Sequence, residues 1–87
     1  MRVIFSESAW AEFEVLQQDR RLLRRLNQLI SDIQRGGNSG IGKPERLSGD
    51  LRAFWSRRID GRHRLVYRVT GGDEPEIVQC YGHYGEK

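Results

Sequence analysis

A chain of 87 residues, of which 37% are hydrophobic, has room for one core, so we expect a single domain over residues 1–87. No apolar run approaches the roughly 20 residues of a membrane helix, no signal-peptide pattern begins the chain, and the single cysteine excludes an internal disulfide and a zinc site built on cysteine pairs. The net charge of +3 is unevenly distributed, because residues 20–70 carry thirteen basic and four acidic side chains and both ends are acidic. We therefore expect a cytoplasmic protein with a polyanionic or acidic partner.

The first part of the chain predicts a short strand followed by two helices. Residues 1–5 alternate in the manner of a strand, and Ser6 is a suitable N-cap for a helix whose apolar side chains recur at helical spacing over residues 9–16. A stronger amphipathic pattern covers residues 22–33, and Gly36 begins the glycine pair that ends it. We expect these two helices to pack as a hairpin.

The second half of the chain predicts four strands after a glycine-rich loop. Four glycines in residues 36–43 exclude regular structure there, and Pro44 stands where a phosphate-binding P-loop needs Ser or Thr. The predicted strands are Glu45–Leu47, Phe54–Ile59, Arg64–Thr70 and Glu76–Tyr81. Cys80, on the last strand, is interpreted as a buried structural residue. The order β-α-α-β-β-β-β indicates an α+β domain with two N-terminal helices packed on a mainly antiparallel sheet.

Two arginines are predicted to face each other across the hairpin at Asp60-Gly61, but the sequence leaves the register open. A two-residue turn sets Arg57 opposite Arg64, whereas a three-residue loop sets Arg58 there. Either pair of cations is unfavourable unless an anion lies between them. An RNA phosphate or a carboxylate of a partner protein could be this anion.

The basic middle of the chain suits a polyanion. Thirteen of the 15 basic residues are arginine, whose planar guanidinium matches phosphate. Clustered arginine is typical of nucleic-acid binding. A solvated charged surface explains the same composition equally well.

Few side chains are candidates for acid–base chemistry. Glu45 follows Pro44, which restricts the backbone and biases Lys43 toward extended geometry, and the neighbouring cation favours the ionised carboxylate that a general base requires. His83, near the C-terminus, is the candidate proton donor, whereas His63 begins a strand and is interpreted as an ordinary surface histidine. Surface residues without a function remain the alternative for Glu45 and His83.

The stretches G-K-P-E-R-L, L-R-A-F-W-S-R-R-I, H-R-L-V-Y-R-V and C-Y-G-H-Y resemble the Txe/YoeB family of bacterial toxins, which are relatives of RelE. The resemblance runs from R-V-I-F-S-E-S-A-W to Tyr84, nearly the whole chain. It implies a RelE-like fold of the microbial-ribonuclease type and a ribosome-dependent endoribonuclease that cleaves mRNA in the A site. It also implies neutralisation by a YefM-type antitoxin, and it allows a homodimer. No cofactor or metal is expected.

The same resemblance implies roles for individual residues. The glutamate after K-P corresponds to Glu45, the general base, and the arginine of H-R-L-V-Y corresponds to Arg64, which stabilises charge on the phosphate. The histidine and tyrosine near the C-terminus correspond to His83, the general acid, and Tyr84, which orients the substrate. The second arginine of S-R-R corresponds to Arg58, a further phosphate contact, and this assignment favours the longer hairpin loop.

Lys43 and Arg57 complete the predicted set of phosphate contacts. Gly82 stands where the family usually has a larger residue, so we expect a looser backbone at the histidine itself, His83. Residues 85–87 extend past the point where family members commonly stop, and we expect a flexible tail there.

Two other functions stay open. A toxin of the same superfamily can act by binding alone, as the gyrase-poisoning ParE relatives do, although those lack a matching set of glutamate, arginine, histidine and tyrosine. A non-catalytic RNA-binding module would use the arginines only as contacts. In every case we expect an acidic, largely disordered antitoxin segment to wrap the basic block and to fold as it binds.

Overall fold

The computed structural model describes residues 2–70 and 74–82 and has the predicted order β-α-α-β-β-β-β. Its elements are β1 Ile4–Phe5, α1 Glu7–Leu16, α2 Arg20–Gly36, β2 Glu45–Arg46, β3 Trp55–Arg58, β4 Arg64–Thr70 and β5 Glu74–Gln79. A 3₁₀ turn at Gly49–Leu51 lies between β2 and β3 and was not predicted. Across the described residues, neither helix combines the length and the apolar character needed to cross a membrane.

Both helices begin at the polar side chains that suit an N-cap. Ser6 Oγ accepts the N–H of Ala9 at 3.1 Å, as predicted for α1. Asp19 does the same for α2, because its carboxylate accepts the N–H groups of Arg21 and Leu22. The helix α2 ends at Gly36 and is capped by Gly37, whose φ of 65° is a conformation that glycine adopts without strain.

The five strands form one sheet in the order β1-β5-β4-β3-β2. The outer strand β1 pairs with β5 in parallel, and the other three pairs are antiparallel, so the predicted mainly antiparallel sheet is confirmed. One face carries the core, in which α2 residues such as Leu26 and Leu29 are buried with Leu65 and Tyr67 of β4. Cys80 belongs to this core, as predicted, and burial raises the pKa of its thiol to about 12.

The β3–β4 hairpin has the longer of the two predicted loops. Arg58 pairs with Arg64, and the next residue of β3 continues the ladder because the Ile59 N–H donates to the His63 carbonyl at 3.0 Å. Residues 60–62 therefore form the loop. Burial alone would raise the pKa of Asp60, but the N–H groups of His63 and Arg62 donate to its carboxylate and hold that pKa below its usual value.

Strand alternation gives the sheet a helix-covered face and an open face. Leu65 and Tyr67 of β4 lie in the core, so their neighbours Arg64 and Val66 point to the opposite side. We call this side, opposite the core, the open face; Ser56 and Val66 at its centre are buried, whereas Glu45 and Arg58 are exposed. It carries the candidate site.

Candidate functional site

Three predicted site residues share the open face of the sheet. Glu45 of β2 pairs with Ser56 of β3, and Arg58, two residues further along β3, pairs with Arg64 of β4. Side chains two apart on a strand, and side chains directly opposite each other, point to the same face. From ordinary strand spacings, the backbones of Glu45 and Arg64 lie about 12 Å apart, which leaves room for a phosphodiester between two long side chains.

The guanidinium of Arg64 is anchored by the hairpin loop. Its Nη1 donates to the carbonyl of Asp60 at 2.9 Å and to that of His63 at 3.1 Å. Arg58 lies directly opposite on the neighbouring strand and is exposed. Two cations at paired positions repel each other in the absence of an anion, so the pair is suited to bind a negatively charged ligand.

Glu45 is exposed on the short edge strand β2, and the loop before it is fixed to β3. The N–H of Arg58 donates to the Gly42 carbonyl at 2.7 Å, which attaches the loop next to the arginine pair. Lys43 is exposed and has a φ of 51°, so the predicted extended geometry before Pro44 is wrong. The left-handed turn at Lys43 redirects the chain into β2. Contact between Lys43 and a phosphate stays a prediction.

Arg57 does not belong to this site, and the predicted phosphate contact is wrong. Its side chain is fully buried on the core face of β3, where Nε donates to the Tyr67 hydroxyl at 3.0 Å and Nη1 pairs with Asp32. The remaining N–H groups donate to the carbonyls of Gly37, Ser39 and Ile41. All five donors are thus bonded within the protein, and the hydrogen bond from Arg57 lowers the pKa of Asp32.

The end of the described chain is attached to the arginine pair. The N–H of Arg64 donates to the Gly82 carbonyl at 2.8 Å, and the Gly82 N–H donates to Nδ1 of His63 at 2.7 Å. Gly82 has a φ of 86°, and both of its backbone polar groups are bonded. The looser backbone expected at His83 lies outside the described residues. His83 and Tyr84 lie outside the described residues, as do residues 85–87.

His63 is not the surface histidine that the sequence predicts. It is 9% exposed, and its ring stacks on Tyr81 with 4.3 Å between ring centroids. Its position between the hairpin loop and the first residue of β4 brings it against the segment that follows β5. Sequence reasoning missed this contact, although the residue begins the H-R-L-V-Y motif that carries the family resemblance.

The described part of the site can accept a proton and neutralise an anion. Glu45 offers an exposed carboxylate, and the Arg58–Arg64 pair offers two guanidinium groups on the same face. Within residues 2–70 and 74–82, no group of three His, Cys, Asp or Glu side chains is placed to hold a metal ion. This combination suits chemistry at a phosphate.

Solved structures that share this α+β fold are small bacterial toxins of the RelE-like class, and the chain has the fold of that class. Residues 5–84 match the family described as the YoeB-like toxin of bacterial type II toxin–antitoxin systems. The chain belongs to this family and is a toxin of the type II class.

Individual relatives agree over nearly the whole chain. Toxin YoeB of Streptomyces coelicolor is 47% identical, over 97% of this chain and 100% of the relative. The structure of a YoeB/ParE toxin from Agrobacterium tumefaciens is 42% identical with a TM-score of 0.91, over 97% of this chain and 100% of that one. A YoeB–YefM complex from Staphylococcus aureus has a TM-score of 0.89 at 37% identity, and a YoeB dimer from the same bacterium has a TM-score of 0.88 at 38% identity. Both matches cover 97% of this chain and 98% of the other.

Proposed function

We propose that this toxin is a ribosome-dependent endoribonuclease that cleaves mRNA in the A site and so inhibits translation. The observation that carries the proposal is the shared open face of Glu45, Arg58 and Arg64, with the chain that leads to His83 attached beside them. The chemistry follows from what RNA cleavage requires, one step at a time.

RNA carries its own nucleophile, the 2′-hydroxyl next to the scissile phosphate. Glu45 accepts the proton of this hydroxyl, and the 2′-oxygen forms a bond to phosphorus. The bond from phosphorus to the 5′-oxygen then breaks, and His83 donates a proton to that leaving oxygen. The products are a 2′,3′-cyclic phosphate and a 5′-hydroxyl. Each proton transfer contributes about 10²–10⁴-fold to the rate.

The arginine pair stabilises the charge that develops on the phosphate. Arg64 is held by two loop carbonyls, so its position is set before the RNA arrives. Such preorganised charge needs no rearrangement during the reaction and is among the largest contributions to catalysis. Arg58 supplies the second charge, and Lys43, in the loop before Glu45, is a further phosphate contact in this proposal.

We assign His83 and Tyr84 to the site from the family resemblance, and the position of the chain that precedes them supports this assignment. Gly82 is bonded to the backbone of Arg64, and consecutive Cα atoms are about 3.8 Å apart. The described chain therefore ends beside the arginine that binds the phosphate in this proposal. In this proposal His83 is the general acid and Tyr84 orients the substrate, without a cofactor or a metal ion.

Mapping of RNA ends tests the proposal. A defined message is translated in vitro with the toxin, and new 5′ ends are located by primer extension, with the same message free of ribosomes as the control. We expect new ends at A-site codons only when ribosomes are present. Translation arrest without new ends would contradict cleavage and would favour a toxin that acts by binding. Binding of RNA without arrest would also contradict cleavage and would favour a non-catalytic RNA-binding module.

The antitoxin partner is proposed from the relatives and from charge. The Staphylococcus aureus relative was solved as a YoeB–YefM complex, and we propose that this chain likewise binds a YefM-type antitoxin. Exposed arginines on α2 and on the hairpin, such as Arg24, Arg35 and Arg62, suit an acidic segment that folds as it binds. Calorimetric titration with the neighbouring-gene product should give binding that weakens as the salt concentration rises. Salt-independent binding would contradict the assignment of these arginines to the antitoxin-binding surface.

Self-association is proposed from a relative, and the place of action is proposed from the substrate. A YoeB dimer is known from Staphylococcus aureus, and we propose that this chain also forms a homodimer, which sedimentation at several concentrations would test. Its place of action would be the cytoplasm, where ribosomes and mRNA are found.

A further inference from the structure

We propose that His63 and Glu12 are positioning residues that hold the segment of residues 80–82, from which the chain continues to His83, against the hairpin that carries Arg64. Neither side chain is assigned a role in proton transfer or phosphate binding. The inference rests on the proposed function, because it concerns how the general acid is placed. Its structural part, however, can be measured without RNA.

The segment of residues 80–82 lies beyond the end of β5 and has no strand partner for its N–H groups. Instead, three consecutive N–H groups each donate to a side chain from a distant part of the chain. Those of Cys80 and Tyr81 donate to Oε1 of Glu12, at 2.8 and 3.2 Å, and that of Gly82 donates to Nδ1 of His63 at 2.7 Å. Backbone N–H groups need such partners when water is excluded, and here side chains supply all three.

The two acceptors come from different elements and grip the segment from two directions. Glu12 belongs to α1 and is 68 residues from Cys80 in the sequence, whereas His63 lies in the β3–β4 hairpin, next to Arg64. The Gly82 carbonyl closes the arrangement because it accepts the N–H of Arg64 at 2.8 Å. The segment of residues 80–82 is therefore fixed to α1 through Cys80 and Tyr81, and to His63 and the backbone of Arg64 through Gly82.

The histidine can perform this task only in one protonation state and tautomer. A backbone N–H can only donate, so Nδ1 must be the acceptor and the ring proton must lie on Nε2. The ring is almost fully buried and stacked on Tyr81, which restricts its rotation. A buried ring that accepts a backbone hydrogen bond is placed to orient its neighbour and not to exchange protons with a substrate.

A positioning role predicts a larger effect on the rate than on binding. A displacement of about 1 Å in a reacting group costs about 10²-fold in rate, and the segment of residues 80–82 is the direct attachment of His83 to the folded domain. The phosphate contacts at Arg58 and Arg64 do not depend on the Nδ1 acceptor. Loss of the acceptor should therefore lower kcat and leave KM for programmed ribosomes nearly unchanged.

Two variants of His63 separate the acceptor from the ring. H63F keeps an aromatic ring against Tyr81 and removes Nδ1, whereas H63N keeps an acceptor at the δ position and removes the ring. We expect H63F to lower kcat roughly 10- to 100-fold at similar KM, and H63N to cleave faster than H63F. Wild-type kcat in H63F, or equal losses in the two variants, would overturn the role of the acceptor.

A matched set on α1 tests the second acceptor. E12Q keeps Oε1, whereas E12M has similar length without an oxygen. We expect kcat to fall in E12M and to stay higher in E12Q, while E14Q, an exposed change on the same helix, behaves as wild type. Equal kcat in E12M and E14Q would overturn the role of Glu12.

Hydrogen exchange at the Gly82 amide measures the attachment without any RNA. We expect exchange to be faster in H63F than in wild type and H63N, with the overall fold unchanged by circular dichroism. Unchanged protection of this amide in H63F would overturn the proposal. If the wild-type protein does not cleave RNA, the proposed function fails, and the exchange measurement still decides whether His63 holds the segment.

Discussion

Arg57 and Arg58 are neighbours in the sequence but have opposite environments, because consecutive side chains of a strand point to opposite faces. Arg57 is buried, and its donors bond to Asp32, Tyr67 and the loop after α2. Arg58 is exposed and paired with Arg64. One arginine therefore stabilises the fold, and the other is available to a ligand.

Substitution of these two arginines should have different effects on stability. R57A removes every hydrogen bond of a buried guanidinium, breaks its pair with Asp32 and leaves a cavity, so we expect a loss of about 3–5 kcal/mol in unfolding free energy. R58A removes an exposed charge that faces another cation, so we expect a change within about 0.5 kcal/mol. Urea denaturation of both variants checks this, and similar losses in the two would contradict the assignment.

An arginine of β3 that faces Arg64 could be predicted from the sequence, since the strand pattern and the turn signal leave only Arg57 or Arg58 for that position. The family resemblance favoured Arg58. The burial of Arg57 could not be predicted in the same way. Alternation separates its face from that of Arg58 but does not say which face the helices cover. Its main partner, Asp32, is 25 residues away, and only the tertiary fold brings the two together. The attachment of His63 to Gly82 was missed for the same reason.

The loop between α2 and β2 is the element that places Glu45. It is held from inside by Arg57, whose guanidinium bonds to three of its carbonyls, and from the side by the bond between the Arg58 N–H and the Gly42 carbonyl. Gly42 has a φ of 82°, and a Cβ there would lie 2.7 Å from Cδ2 of Leu29. The loop therefore packs tightly between α2 and β3 at this residue.

A pair of glycine substitutions tests the tight packing. G42A combines an unfavourable positive φ with a clash against Leu29, whereas G49A has a φ of 64° and no atom within 4 Å of the new Cβ. Positive φ alone costs about 1–2 kcal/mol, so both variants lose stability and G42A loses more. We also expect G42A alone to reduce RNA cleavage, since Glu45 follows three residues later. Equal effects of the two changes on both properties would count against this account of the loop.

The elements were predictable because helical and strand periodicities are strong in this chain, but the ends of β5 were not. The strand was expected at residues 76–81 and is observed at Glu74–Gln79. Pro75 weakened the strand pattern at the start, because proline has no N–H to donate within a sheet. The strand tolerates it because β1 pairs only with Glu76 and Ile77, so Pro75 has no partner on β1. At the other end, Cys80 and Tyr81 look like strand residues, but their N–H groups bond to Glu12.

At the scale of the whole molecule, the helices and the candidate site lie on opposite sides of one sheet. The site residues come from three adjacent strands, and no deep cleft is needed if the ribosome presents the message. Both sides of the sheet carry part of the basic block, because its arginines lie on α2 and on the β3–β4 hairpin. A domain of 87 residues can then supply acid–base groups and cations while its partner supplies most of the RNA binding.

Stability should decline at both ends of the pH range for separate reasons. Burial raises the pKa of Cys80 from 9.0 to about 12 and also raises that of Tyr67, so the stability linked to these groups is complete below about pH 9 and is lost as pH rises toward 12. The lowered pKa values of Asp32 and Asp60 have the opposite sign, and their contribution is complete above about pH 4 and is lost below it.

The variant C80A should change only one of these limits. We expect its unfolding free energy to fall less steeply than that of wild type above pH 9, with the same decline in acid, because only the alkaline loss depends on the thiol. Urea denaturation from pH 3 to pH 11 checks this expectation. Parallel curves on the alkaline side would contradict the assigned effect of Cys80.

The central claim is that the open face of the sheet cleaves RNA with Glu45 as the base. Its most direct test is the single-turnover cleavage rate on ribosomes that carry a defined A-site codon, for wild type, E45Q and the exposed control E14Q. We expect E45Q to lose about 10²–10⁴-fold in rate while ribosome binding and unfolding free energy stay near wild type, and E14Q to cleave normally. An E45Q protein that cleaves at the wild-type rate would contradict the claim.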